Sequence, residues 1–150
     1  MQDQRVIVTG AAGFIGSHVA SALLDRGATV LGLDNLDPYY DPARKRANLD
    51  ALGRRAQAGA FTHAALDVRE AGGVRRAFEA FRPTTVVHLA ARAGVRPSIA
   101  DPAGYALTNV VGTQHVLDAA EAAGCRRVVC ASSSSVYGNN EKTPFAESDP

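Results

Sequence analysis

The chain has 150 residues and its charges nearly cancel, with 16 Lys and Arg against 15 Asp and Glu for a formal +1. That balance lacks the basic stripe of a nucleic-acid module, and 46% hydrophobic with 21% charged residues is globular composition rather than that of a disordered tail. One domain's length suffices to bury a core without disulfide or metal staples.

The first five residues mix charge and polarity, and the apolar stretch after them is only Val6, Ile7 and Val8, which fits neither a signal peptide nor a membrane span. Residues 5–9 form a β-branched run that ends at Gly10, the first expected strand. Residues 14–26 carry Ile15, Val19, Ala22 and Leu23 at helical spacing, and Gly27 stops them. A second strand is expected at 29–33, then a turn-rich stretch through Asp34, Asn35, Leu36, Asp37 and Pro38. Residues 41–57 read as a helix with Arg44, Lys45, Arg46, Arg54 and Arg55 on a solvated face and Leu49 and Leu52 inward. A weak third strand falls near 60–66, a helix at 70–81 closes at Pro83, and a fourth strand spans 84–90. After a loop rich in Arg, Gly and Pro comes the longest helix, 102–123, with Val110 and Leu117 on one face and Gly124 as its cap. The fifth strand covers 126–131.

Strands separated by helices of this length need crossover connections, and right-handed crossovers build a parallel sheet covered on both faces. The expected fold is therefore α/β, a Rossmann-type doubly wound sheet of order 3-2-1-4-5 that makes one domain of residues 1–150.

The strongest local signal is Gly10, Gly13 and Gly16 between the first strand and the first helix. Gly10 permits a tight turn, Gly13 lets backbone approach a pyrophosphate, and Gly16 lets helix pack on strand. Phosphates then meet the free N–H groups and positive dipole end of a helix. Asp34 lies eighteen positions past Gly16, at the end of the second strand, where a carboxylate accepts hydrogen bonds from ribose hydroxyls and repels a 2′-phosphate. NAD is the cofactor this favours; a turn-forming Asp before Asn35 is the other reading.

The Gly-x-x-Gly-x-x-Gly spacing comes with Asp34, Asn35 and Leu36, Asp67 and Val68, the run His88, Leu89, Ala90 and Ala91, Asn109, and the segment from Ser132 to Gly138. Together these resemble the extended short-chain dehydrogenase/reductase family of nucleotide-sugar epimerases and dehydratases. The stretch from Asp34 to Asp41 and the run from Ala93 to Ser98 look like the UDP-glucuronate 4-epimerase group within it. The resemblance implies that Gly10, Gly13 and Gly16, with the Phe14 and Ile15 backbone, hold the pyrophosphate. It gives the ribose to Asp34, the adenine border to Asp67 and Val68, and the cofactor wall to Leu89, Ala90 and Ala91, with Asn35 also a cofactor residue and Asn109 acting from the long helix. Arg92 departs from the uncharged residue expected there.

By position Ser133 matches the family's catalytic Ser/Thr, just past the carboxyl end of a parallel strand, where ligands bind in open α/β sheets. Hydroxyls there donate to a sugar oxygen as charge develops on it. The family's dehydratases carry Asp-Glu, and its decarboxylases a second-position Glu, where this chain has Ser134 and Ser135; eliminating water needs a carboxylate. Two hydroxyls favour plain epimerisation at C4, through hydride removal by NAD, a 4-keto sugar and hydride return. With glucuronate the intermediate is a β-keto acid, and Ser134, Ser135 and Arg96 are the expected holders of its carboxylate; a solvated loop cation is the other reading of Arg96.

The resemblance also implies a Tyr-x-x-x-Lys helix, but none of Tyr39, Tyr40, Tyr105 and Tyr137 has Lys four residues on. The expectation is a domain lacking its last strands, that helix and the substrate domain, able to bind NAD but inactive alone, from a full-length homodimeric enzyme of UDP-sugars. Two other readings stay open: another nucleotide-sugar epimerase or reductase, and a non-catalytic NAD-binding module. His18, His63, His88 and His115 share no metal-ligand spacing, so no metal is expected. Nor is a nucleic-acid or membrane partner. Cys125 and Cys130 suit a reducing cytoplasm as small apolar fillers around the fifth strand.

Overall fold

The computed structural model describes residues 4–149. Its five strands are β1 (Arg5–Thr9), β2 (Thr29–Asp34), β3 (Phe61–Ala65), β4 (Thr85–His88) and β5 (Arg127–Cys130). They lie in the order β3-β2-β1-β4-β5, and every pairing is parallel. The expected topology is the observed one.

β1 is the central strand and shows why. Val6 and Val8 point to one face and Ile7 to the other, because side chains alternate along a strand, and all three are buried. Val6 and Val8 join Ala11, Ala20, Ala28, Val30 and Leu52 beneath helices α1 (Phe14–Asp25) and α2 (Pro42–Arg55). Ile7 joins Leu33, Val74, Phe78, Val86 and Val116 beneath α3 (Ala71–Phe81) and α6 (Gly112–Ala122). Short helices α4 (Val95–Ala100) and α5 (Pro102–Ala106) precede α6. At the outer edge, β5 leaves Val129 half exposed and Cys130 exposed, so Cys130 is not a core filler.

Several expectations need correction. In α1 the expected stripe faces inward only in part: Leu23 packs against the core and Val19 is half-buried. Ile15 is 61% exposed and Ala22 is exposed, while Gly16, Ser17 and Ala20 make the buried face. Small residues lie inward there because the helix start packs directly onto the glycine loop. In α2 Lys45 is buried, not solvated. It stands four residues before Leu49 and seven before Leu52, on the same helical face, and it reaches the buried Asp34 carboxylate. The long helix is not regular either. Residues Leu107–Val111 form a π-helical segment between α5 and α6, and Val110 and Leu117 lie outward while Val116, Ala119 and Ala120 face the sheet. Residues 95–100, expected within a loop, form α4, and the serine segment coils into a 3₁₀ turn over Ser134–Tyr137.

Phe78 is the largest fully buried side chain and bridges α3 to the sheet. Phe78→Ala is expected to lower unfolding free energy by about 3–5 kcal/mol in urea denaturation. A loss below about 1 kcal/mol would mean that this face collapses without it.

Candidate functional site

The carboxyl ends of β1, β2 and β4 open onto a cleft of about 740 Å³, measured out to its mouth. Gly10 and Gly13 form its floor, with Leu33, Asp34 and Asn35 on one side, Leu66, Asp67 and Val68 beyond them, and Leu89, Ala90, Ala91 and Arg92 on the other side.

Backbone geometry fixes the floor. Gly10 has φ +68°, and a Cβ there would stand 3.0 Å from the Ala90 backbone nitrogen. A Cβ on Gly16 would collide with the Gly10 carbonyl oxygen. The loop is thus closed tightly on itself and against the end of β4. Gly13 caps α1 without a side chain, leaving the helix N-terminus bare. Phe14 and Ile15 turn their side chains to solvent, so only their backbone can serve the cleft.

Asp34 is the buried anion of the site. Its Oδ2 accepts the Ala12 N–H at 3.1 Å and its Oδ1 accepts the Leu36 N–H at 2.8 Å. The Lys45 ammonium stands 3.5 Å from Oδ1 and 5.0 Å from the centre of the Tyr40 ring. Asn48, one turn along α2, donates to the Ala12 carbonyl at 2.9 Å. Burial pushes the Tyr40 phenol above its ordinary value and the Asp34 charge adds to this, while the Phe14 backbone N–H facing its oxygen works the other way.

Asn35 donates to Asp67 Oδ2 at 2.8 Å, which links the ends of β2 and β3. Asp67 also takes the Arg69 guanidinium at 2.6 Å and the Arg69 backbone N–H at 2.9 Å. The Arg69 side chain holds the Asp67 carboxyl well below its ordinary value of 3.8, at about 2, with burial opposing. Val68 is buried and packs on Gly112 of α6.

The structure places Asn109 differently from a direct cofactor ligand. It lies in the π-helical segment, its Oδ1 accepts the Arg92 N–H at 2.8 Å, and its Nδ2 donates to the Arg92 carbonyl at 2.9 Å. Both ends of the amide are occupied by the cleft wall. The Arg92 side chain pairs with Asp101, its guanidinium carbon 4.9 Å from the Tyr105 ring centre. The next carbonyl, Ala93, accepts two phenols, Tyr39 at 2.8 Å and Tyr105 at 2.6 Å. The stretch after β2 is thereby strapped to the loop after β4.

Ser133, Ser134 and Ser135 are not among the cleft residues. They are exposed, and Ser133 caps the 3₁₀ turn by accepting the Ser135 N–H at 3.2 Å. The Ala131 N–H bonds the His88 carbonyl at 3.0 Å, so the serines follow a chain still paired to the end of β4. Arg96 is the second residue of α4 and is exposed. Sequence reasoning missed Lys45, Asn48, Tyr39, Tyr105, Thr9 and Thr113. Only Lys45 had a readable signal, its place on the Leu49 and Leu52 face.

A family model described as GDP-mannose 4,6 dehydratase matches residues 7–150. Among curated proteins, UDP-glucuronate 4-epimerase 3 of Arabidopsis thaliana is 46% identical over 145 residues, covering 96% of this chain and 33% of the relative. A probable UDP-glucuronate 4-epimerase of Rhizobium meliloti is 45% identical, covering 97% of this chain and 42% of its own. The chain therefore spans between a third and a half of the length of these relatives. Among solved structures, a UDP-glucose-4-epimerase from Stenotrophomonas maltophila with bound NAD and formylated UDP-arabinopyranose superimposes with a TM-score of 0.86 at 31% identity, over 97% of this chain and 42% of that one. A UDP-glucose 4-epimerase from Thermus thermophilus in complex with NAD gives 0.78 at 37% identity, over 97% and 43%.

The Asp67 carboxyl has a folded-state value below its unfolded one, so its contribution is complete above about pH 4 and is lost as pH falls toward 2. The Arg69 side chain is 43% exposed, which limits the effect to about 1 kcal/mol. Asp67→Asn is expected to be less stable than the parent at pH 7 and equal to it near pH 2 in denaturant titrations. A gap that stays constant across that range would contradict the assignment.

Proposed function

The chain belongs to the family described as GDP-mannose 4,6 dehydratase, and on that membership we propose that it is the NAD-binding part of a nucleotide-sugar 4-epimerase acting on UDP-glucuronate. The observation that carries the reading is the single cleft that joins the uncapped start of α1, the glycine floor and the Asp34 carboxylate.

The residues present fit NAD. Gly10 and Gly13 leave backbone bare where side chains would fill the floor, and the free N–H groups at the start of α1 suit a pyrophosphate. Asp34 lines the cleft at the distance along the sheet where ribose hydroxyls follow the phosphates, with Asn35 and Asp67 bordering the base end. Bound NAD supplies a hydride acceptor and donor for C4 of the sugar. The chain's own part is to orient it, and Leu89, Ala90 and Ala91 offer a small-residue wall against which a flat ring lies on backbone.

Ser133 is the group for the C4 oxygen, donating a hydrogen bond as charge develops there. Ser134 and Ser135 hold the glucuronate carboxylate together with Arg96, which protects the β-keto acid from losing CO₂. The proton acceptor for the C4 hydroxyl is the tyrosine of a Tyr-x-x-x-Lys helix outside residues 1–150, and the substrate domain lies outside them too. The full-length protein acts as a cytoplasmic homodimer in carbohydrate metabolism. No helix among the described residues is long and apolar enough to cross a membrane.

The experiment is to supply the full-length protein with UDP-glucuronate and follow sugar products by chromatography. UDP-galacturonate is expected, and conversion of UDP-glucose alone would move the substrate assignment to another epimerase. Ser133→Ala is expected to lower kcat by about a hundredfold. The double variant Ser134→Ala, Ser135→Ala is expected to raise the share of UDP-pentose, and an unchanged product ratio would remove the carboxylate role.

A further inference from the structure

His88 ends β4 and is 5% exposed, yet the proposed chemistry gives it no task. Its two ring nitrogens are each met by one threonine hydroxyl. Nδ1 lies 2.7 Å from Thr9 Oγ1, and Nε2 lies 3.0 Å from Thr113 Oγ1.

The protons on this chain can be assigned from both ends. Thr9 Oγ1 accepts the N–H groups of Leu89 at 3.1 Å and Ala90 at 3.0 Å. Its lone pairs are then used, so its single proton goes to His88 Nδ1, which must be bare. At the other end, Thr113 Oγ1 donates to the Asn109 carbonyl at 2.7 Å, and a carbonyl can only accept. Thr113 must therefore accept from His88, and Nε2 carries the hydrogen. Two independent donors and acceptors dictate the same neutral tautomer. Burial agrees, since it pushes the imidazole below its ordinary value and disfavours the cation.

Each arm of this chain ends on the cleft wall. Through Thr9 it fixes the N–H groups of Leu89 and Ala90, whose backbone lies 3.0 to 3.1 Å from where a Gly10 Cβ would be. Through Thr113 it reaches Asn109, whose side chain brackets the Arg92 backbone on both its N–H and its carbonyl. The π-helical segment serves this arm, because Asn109 lies in it while its carbonyl receives the Thr113 hydroxyl four residues on. Widened helical turns of this kind recur where a helix has been reshaped for function.

We propose that His88 is a positioning residue which, held as the neutral Nε2–H tautomer between Thr9 and Thr113, sets the backbone of residues 89–92 at the distance from the glycine floor that NAD requires. The inference rests on NAD being the ligand of the cleft. His88 touches neither cofactor nor substrate; it acts through the wall. Losing the Thr113 hydroxyl leaves the buried Nε2–H without an acceptor and releases the Asn109 end.

The test uses the full-length protein with nitrogen-15-labelled histidine. Ring-nitrogen NMR at pH 7 is expected to show His88 as the neutral Nε2–H form, and an Nδ1–H form or an imidazolium would overturn the proposal. NAD affinity is then measured by calorimetry for Thr113→Val and Thr113→Ser. The valine variant is expected to bind NAD about tenfold more weakly, the loss of one net hydrogen bond, and the serine variant to return within about twofold of the parent. Unchanged affinity in the valine variant, or a loss that serine does not restore, would overturn it. If Thr113→Val does not fold, Thr113→Cys makes the same comparison with serine. Should the parent itself not bind NAD, the cofactor reading fails, whereas a parent that binds with indifferent variants defeats only the role of His88.

Discussion

Burying a polar group without a partner costs enough to dictate architecture, and this fold gathers that cost at one end. Among the described residues the buried polar side chains are Thr9, Ser17, Asp34, Lys45 and His88. Three of them, Thr9, Asp34 and His88, are the last residues of β1, β2 and β4. The sheet is apolar along its length and turns polar where its strands stop. Each of these groups must then find partners from neighbouring loops, and satisfying them is what gives the loops their shape. Asp34 draws in the N–H of Ala12 from the glycine loop, the N–H of Leu36 from its own strand exit and the ammonium of Lys45 from α2. Remove the carboxylate and three segments lose their common anchor, with Lys45 left as a buried unpaired cation.

The same logic runs on the other side of β1. Thr9 and His88 are 79 residues apart in sequence but adjacent in the sheet, because β1 and β4 pair in parallel with Thr9 opposite His88. That register also brings Gly10 against Ala90, where a side chain would be both tight and strained. Core packing thus decides the pairing of Val6, Ile7 and Val8 with β4, and the pairing decides the width of the cleft. Cleft geometry is inherited from hydrophobic register, with hydrogen bonds fixing the strand ends.

The fold was readable in the chain because periodicity and punctuation agree. Alternating short β-branched runs and amphipathic stretches, stopped by Gly27, Pro83 and Gly124, leave few arrangements besides a parallel doubly wound sheet. The glycine floor and Asp34 were readable for the same reason, since their spacing relative to β1, α1 and β2 is local. What was not readable depends on contacts across the sheet. Nothing near Thr113 in sequence says that its hydroxyl meets a histidine 25 residues earlier, and nothing near Asn109 says that its amide is spent on Arg92 backbone. Lys45 is the instructive case. A charge in a basic stretch reads as solvated, although its spacing to Leu49 and Leu52 put it on the inward face, and the deciding fact was a carboxylate eleven residues upstream that needed a counter-charge.

The two halves of the proposed chemistry are built to different degrees within these residues. The proposed cofactor half is largely satisfied: its floor, anion anchor and wall have hydrogen bonds within the cleft or just behind it, the buried Arg92 Nε being the exception among the described residues. The sugar half is open. Ser133 to Ser135 and Arg96 are exposed, and a hydroxyl in water is a weak stabiliser of developing charge, because solvent dipoles compete with it and must reorganise as the charge appears. For Ser133 to act, something must cover it and exclude water. Tyr39 and Tyr105 meet at the Ala93 carbonyl, and neither is hydrogen-bonded to the serine segment among the described contacts. On the proposed function, the cleft that would hold NAD is preformed within these residues, whereas the surroundings of Ser133 would have to be dried before its hydroxyl could act on the C4 oxygen.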